Sequence, residues 1–99
     1  MPYFYETHAH TAEVSPCSHV PAAQMVEAYI QAGYAGVVIT DHFASYICSP
    51  REGENWEMVV SRWLKGYRAA KEAAGDRLTV LLGMEMRIGD NDYLVYGLT

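Results

Sequence analysis

Residues 36–40, Gly-Val-Val-Ile-Thr, form an apolar run without alternation. The run is too short for a typical helix and rich in β-branched residues, so it reads as a strand covered on both faces. Such strands belong to parallel sheets, whose crossover helices supply the cover. The flanking segments fit that demand. Pro21 suits a first helical turn, where its missing N–H is not needed. After it, Ala22, Met25, Val26, Tyr29 and Ile30 recur at spacings of three and four, and Gly33 is a natural stop. A second helix is expected over roughly 55–74, ended by Gly75 and Asp76. Its expected buried face is Trp56, Val59, Val60, Trp63, Leu64, Tyr67, Ala70 and Ala74.

Three more segments read as strands: 3–7, 78–88 and 93–98, the last two joined by a turn at 89–92. Residues 11–20 and 41–55 read as loops, the second broken by Pro50 and Gly53. The order β-α-β-α-β-β describes an α/β fold with parallel core strands and right-handed crossovers. The 99 residues suffice for one domain and are too few for two, so 1–99 is taken as a single domain. The last strand runs into Thr99 with nothing after it. The chain therefore reads as unfinished, or as meeting a partner, a second copy in a homo-oligomer, that completes its sheet.

Composition narrows the function classes. A hydrophobic fraction of 51% and mean hydropathy of −0.08 suit a soluble chain with a core. A net charge of −5, from seven basic and twelve acidic residues, argues against nucleic acid as a partner. Arg62, Lys65, Arg68 and Lys71 alternate with the apolar stripe of the second helix and read as its solvated face. No apolar stretch approaches the length of about eighteen residues that a membrane span needs. The N-terminus lacks the basic and long apolar regions of a secretory signal. Cys17 and Cys48 show no CxxC spacing, so a reduced, cytoplasmic location is expected.

Ligands of α/β folds bind at the carboxyl ends of strands. The first strand runs into His8 and His10, the second into Asp41 and His42, and the third carries Glu85 after Gly83. His8 and His10 are two apart and point the same way if the strand extends that far. Imidazole suits zinc, iron and manganese, and carboxylate can bridge two ions. Glu85 lies between Met84 and Met86, where a buried carboxylate needs a partner, and a cation is one. Asp41 reads either as a ligand or as a residue orienting a histidine through its second nitrogen. The loop after His10 offers Glu13, Cys17 and His19 as further candidates. The plain alternatives are loop polarity at His8 and His10, a capping role for His42 and a salt bridge at Glu85. There is no GxxxxGK[ST], GxGxxG or GxSxG motif.

Three stretches together, Thr-His-Ala-His-Thr at 7–11, Gly33–His42 and Gly-Met-Glu-Met-Arg at 83–87, resemble the first, second and third motifs of the PHP family. This is the polymerase and histidinol phosphatase superfamily of metal-dependent phosphoesterases. The resemblance implies a distorted (β/α)7 barrel, of which the chain would be the N-terminal part. It implies two or three divalent ions, zinc, manganese or iron, at the strand ends. His8, His10, His42 and Glu85 match family metal ligands, with Glu85 in the bridging role. Many members place an Asp or His a few residues beyond the HxH. Here Glu13 is taken as the added ligand, Asp41 and His19 as catalytic residues that tune or orient, and Cys17 stays open. The expected reaction is hydrolysis of a phosphate ester, on a phosphorylated small molecule or other phosphoester, by metal-activated water. The family's later motifs fall beyond these residues, so the site would be only partly supplied by this chain. The alternative is a catalytically inactive fragment that binds metal and self-associates.

Overall fold

The structure, a computed structural model, describes residues 3–97 apart from the side chain of Tyr46. Leu98, the end of the last expected strand, lies outside the described residues. The elements are β1 (Tyr5–Ala9), α1 (Ala22–Gln31), β2 (Gly36–Ile39), β3 (His42–Phe43), α2 (Ser45–Cys48), α3 (Trp56–Trp63), α4 (Lys65–Ala74), β4 (Thr79–Leu82), β5 (Met84–Ile88) and β6 (Asn91–Val95).

The apolar run at 36–39 forms β2, with all four residues buried. It is flanked by β1 and β4, both parallel to it. A second sheet has the order β3-β5-β6, with β3 parallel and β6 antiparallel to β5. The fold is therefore α/β with mixed sheets. The sheets meet where β2 passes through Thr40 and Asp41 into β3, beside the passage of β4 through Gly83 into β5. Backbone bonds from Gly83 N to Ile39 O (2.9 Å) and from Glu85 N to Asp41 O (3.1 Å) carry the pairing across this joint. The joint requires glycine, because a Cβ at position 83 would stand 2.6 Å from the Val95 carbonyl oxygen.

α1 and α4 cover one face of the first sheet. Ala22, Met25 and Val26 of α1 and Ala70 and Ala74 of α4 bury against Ala9, Val37, Ile39, Leu78 and Val80. The small alanines let the two helices approach the sheet closely. Gly33, with φ of 85°, ends α1 in a conformation that side chains resist. A second cluster joins Ile47, Cys48, Val59, Trp63 and Leu82.

Several expectations change. The first strand begins at Tyr5, not residue 3, and extends to Ala9. The expected helix over 55–74 is two helices, broken at Leu64, since α3 packs in the second cluster and α4 in the first. Trp56 and Val60, expected inside, are 61% and 41% exposed, because α3 turns Val59 and Trp63 inward instead. The strand over 78–88 is likewise two strands, divided at Gly83 between the sheets. The loop at 41–55 holds β3 and α2, and Asn55 caps α3 by accepting from Met58 N (2.9 Å). Arg62 is not merely solvated decoration. It reaches Glu54 (3.0 Å) and the carbonyls of Ile47 and Ser49, clamping that loop to α3. Among the described residues no helix is long and apolar enough to cross a membrane.

Candidate metal centre

A β-bulge aims the first two histidines. Glu6 pairs with Val37, and the next partners are Ala9 and Ile39, so β1 spends three steps where β2 spends two. The extra residue inverts the alternation. Ala9 therefore joins the helix-covered core with Ile39. His8 and His10 take the opposite face. The Glu6 carboxylate accepts from His8 N (3.2 Å) within the bulge. Beyond it, Thr40 anchors the end of β1 by donating its N–H to Ala9 O (2.7 Å), and its hydroxyl accepts from Ala9 N (3.1 Å).

On that face three imidazoles converge on one carboxylate. His8 Nε2 contacts Glu85 Oε1. His10 Nε2 lies 3.1 Å from the same oxygen, and His42 Nδ1 lies 3.1 Å from Oε2. His42 and Glu85 are register partners across β3 and β5, which sets them side by side. The ring centroids of His10 and His42 are 4.3 Å apart, and those of His8 and His10 are 5.0 Å apart. Burial raises the Glu85 pKa, but the facing His42, His8 and His10 outweigh it and hold the carboxyl below its usual range. Burial, with repulsion from His42, holds His10 below the usual histidine range, against the pull of Glu85. His10 is thus favoured as neutral imidazole, the form that binds metals. Two sets of ligand atoms lie within 4.8 Å of one another: His8, His10 and Glu85, and His10, Cys17 and His42. Imidazole, carboxylate and thiol together fit a divalent transition ion.

The hydrogen bonds of Asp41 go to the loop after His10. The residue is buried, at 2% exposure. Its carboxylate accepts from Thr11 N (2.6 Å), Thr11 Oγ1 (2.7 Å) and Ser15 Oγ (2.9 Å). The Ser15 hydroxyl also accepts from His42 N (3.2 Å), so one cluster fixes the loop after His10 and the start of β3. Burial outweighs the bonds from Thr11 and Ser15 and leaves the Asp41 carboxyl above its usual range. Thr11, Ser15 and Gly66 escaped the sequence reading. Thr11 and Ser15, four apart after the HxH, were the available signal. Gly66 had none, since its reason is space: a Cβ there would stand 1.8 Å from Thr11 Oγ1 and 2.7 Å from Asp41 Oδ2.

His8, His10, His42 and Glu85 are thus brought together, while Glu13 and His19 belong to neither set of ligand atoms among the described residues. Both oxygens of Glu13 accept from Ala22 N (2.9 and 3.2 Å). The first turn of α1 has unpaired N–H groups, and Pro21 offers no side-chain acceptor, so this carboxylate takes the place of a cap. His19 is exposed on the loop. Cys17, by contrast, comes to the cluster.

A search of characterised proteins and of solved structures finds no significant match. The PHP domain, a family model, matches residues 6–96, a span that holds the HxH, the Thr-Asp-His and the Glu85 strand. By that match over nearly its whole length, the chain belongs to the PHP (polymerase and histidinol phosphatase) domain superfamily.

Proposed function

We propose that this chain supplies metal ligands for hydrolysis of a phosphate ester by metal-activated water. The observation that carries the reading is the Glu85 carboxylate of β5 shared by His8 and His10 from the end of β1 and by His42 from β3. Divalent ions bound there would lower the pKa of a bound water and polarise the phosphoryl oxygens. The chain's own part is to hold those ions. His8, His10 and His42 offer ring nitrogens, Glu85 offsets the positive charge and can bridge, and Asp41 keeps the loop and β3 in register. Glu13 and His19 have no part in this reading. On the same reading, residues 1–99 act as one unit, and β1, β2 and β4 form part of the wall of a PHP-type barrel. A phosphorylated small molecule is the substrate class. The free thiols of Cys17 and Cys48 accord with a reducing, cytoplasmic setting.

A second reading is a metal-binding protein that self-associates without turnover. It is favoured by exposed Tyr3 and Phe4 ahead of β1, Tyr5 on β1 and Leu81 on β4, β1 and β4 being the outer strands of the first sheet. One assay separates the two. Protein loaded with zinc or manganese is offered p-nitrophenyl phosphate and its diester, before and after chelation. Turnover that disappears with chelator and in Glu85→Gln supports hydrolysis. Bound metal without turnover selects the second reading, and no uptake of either metal rejects both.

A further inference from the structure

Of the three imidazoles on Glu85, His8 is the least supported by packing. Its side chain is 49% exposed, against 17% for His10 and for His42. His42 is fixed as a register partner of Glu85. His10 follows Ala9, which Thr40 anchors at both its N–H and its C=O. His8 has neither support, because Thr7 and His8 fall in the bulge and have no register partner on β2. A bulge leaves backbone groups outside the ladder, and other groups must take them. The Glu6 carboxylate takes the N–H of His8. The carbonyl of Thr7 accepts from the hydroxyl of Tyr96 (2.9 Å), 89 residues further along the chain.

That bond crosses the sheet. Pairing across the joint gives one continuous order: β1, then β2 running into β3, then β4 running into β5, then β6. β1 and β6 are therefore opposite edges, and a flat sheet would set them about 14 Å apart, three strand spacings. One tyrosine cannot bridge that gap, so the sheet curls until its edges approach. The phenol lies inside the curl. Leu94 is the register partner of Glu85 and shares its face, and Tyr96 follows Leu94 by two. The hydroxyl thus ties one edge to the other on the face that holds the imidazoles.

The chemistry of the phenol separates a brace from a substrate contact. Its one proton goes to Thr7 O. Ionised phosphoester oxygens accept and do not donate, so they find no free donor here. Tyr96 and Thr7 are both exposed, so water can replace the bond at little cost in stability. Water cannot hold two strand edges at a fixed separation.

We propose that Tyr96 is a positioning residue of the metal centre, whose hydroxyl braces the β1 bulge and so holds the His8 ring against Glu85. The proposal rests on the metal-centre reading above and adds the group that steadies its most exposed histidine.

The test is Tyr96→Phe in the full chain, which keeps the ring and removes the hydroxyl. Urea unfolding of the metal-free variant is expected to match wild type. NMR of the metal-free histidine rings is expected to show altered His8 signals and unaltered His42 signals. Zinc affinity, by competition with a chelating dye, is expected to fall about fivefold, the worth of one neutral hydrogen bond. In a His8→Ala background, Tyr96→Phe is expected to cost no further zinc affinity. The same loss in that background, or a variant that no longer folds, would make the bond a general structural one and overturn the proposal. Unchanged His8 signals overturn the brace and leave the metal centre standing. No zinc uptake by wild type overturns the metal-centre reading and the proposal with it.

Discussion

Asp41 shows how a buried carboxylate outside both sets of ligand atoms can shape the centre. Three donors converge on it, two from Thr11 and one from Ser15. Asp41→Ala would leave them buried and unpaired, at about 1–3 kcal/mol each. The expected loss is about 3–5 kcal/mol in urea unfolding, together with weaker metal uptake as the loop loosens. Asp41→Asn keeps an acceptor for Thr11 and removes the desolvated charge, so its expected cost is about 1 kcal/mol or less. Equal losses in the two variants would place the role in charge and not in hydrogen bonding. From sequence, Asp41 lay open between ligand and histidine partner, because adjacency to His42 does not say where a side chain's oxygens point.

The break at Leu64 lets a single helical stretch serve two clusters, and Gly66 follows from it at the next turn. α4 starts against the Thr11–Asp41 pair, where no Cβ fits. Gly66→Ala is expected to destabilise by about 1–3 kcal/mol, although alanine is the better helix former. Thr11→Ala combined with Gly66→Ala should cost less than the sum, since the closest clash is with the Thr11 hydroxyl. A stabilised Gly66→Ala in thermal unfolding would contradict this packing. The Arg62 clamp makes a separate, pH-dependent prediction. A hydrogen bond from Arg62, then one from Arg51 N, holds the Glu54 carboxyl below its ordinary value of 4.5. A carboxyl depressed in the folded state stabilises above its unfolded pKa, and that contribution is lost as pH falls through the folded value. The stability advantage of wild type over Glu54→Gln should therefore be constant above pH 4.5 and shrink below it. A gap independent of pH would show that the pair adds nothing. The sequence placed Arg62 on a helix correctly. Its partners lie on a loop 8 to 15 residues away, and local periodicity carries no information about them.

At the scale of the whole molecule, the two sheets and the loop after His10 all bring ligand atoms to one region, so an ion there should hold the fold together. Binding to the folded state alone stabilises by about 2.7 kcal/mol at one hundred times Kd. Zinc is expected to raise Tm, chelator to reverse the rise, and Glu85→Gln to abolish it in a thermal scan. An unchanged Tm on zinc addition would mean that the ligand atoms do not act as a set.

The amino-acid sequence alone determined β2, α1 and the strand ends that bear His8, His10, His42 and Glu85. These depend on short-range regularities: an apolar run, a spacing of three and four, and the step from a strand to the residue after it. Tertiary structure decided the rest. The bulge in β1 depends on register against β2, and it alone turns His8 and His10 away from the helices. The divisions at Leu64 and Gly83 depend on two clusters competing for one continuous segment. Glu13 went to a helix end and Cys17 to a histidine because loop closure, governed by Asp41 from thirty residues away, chose which side chain returns to the centre.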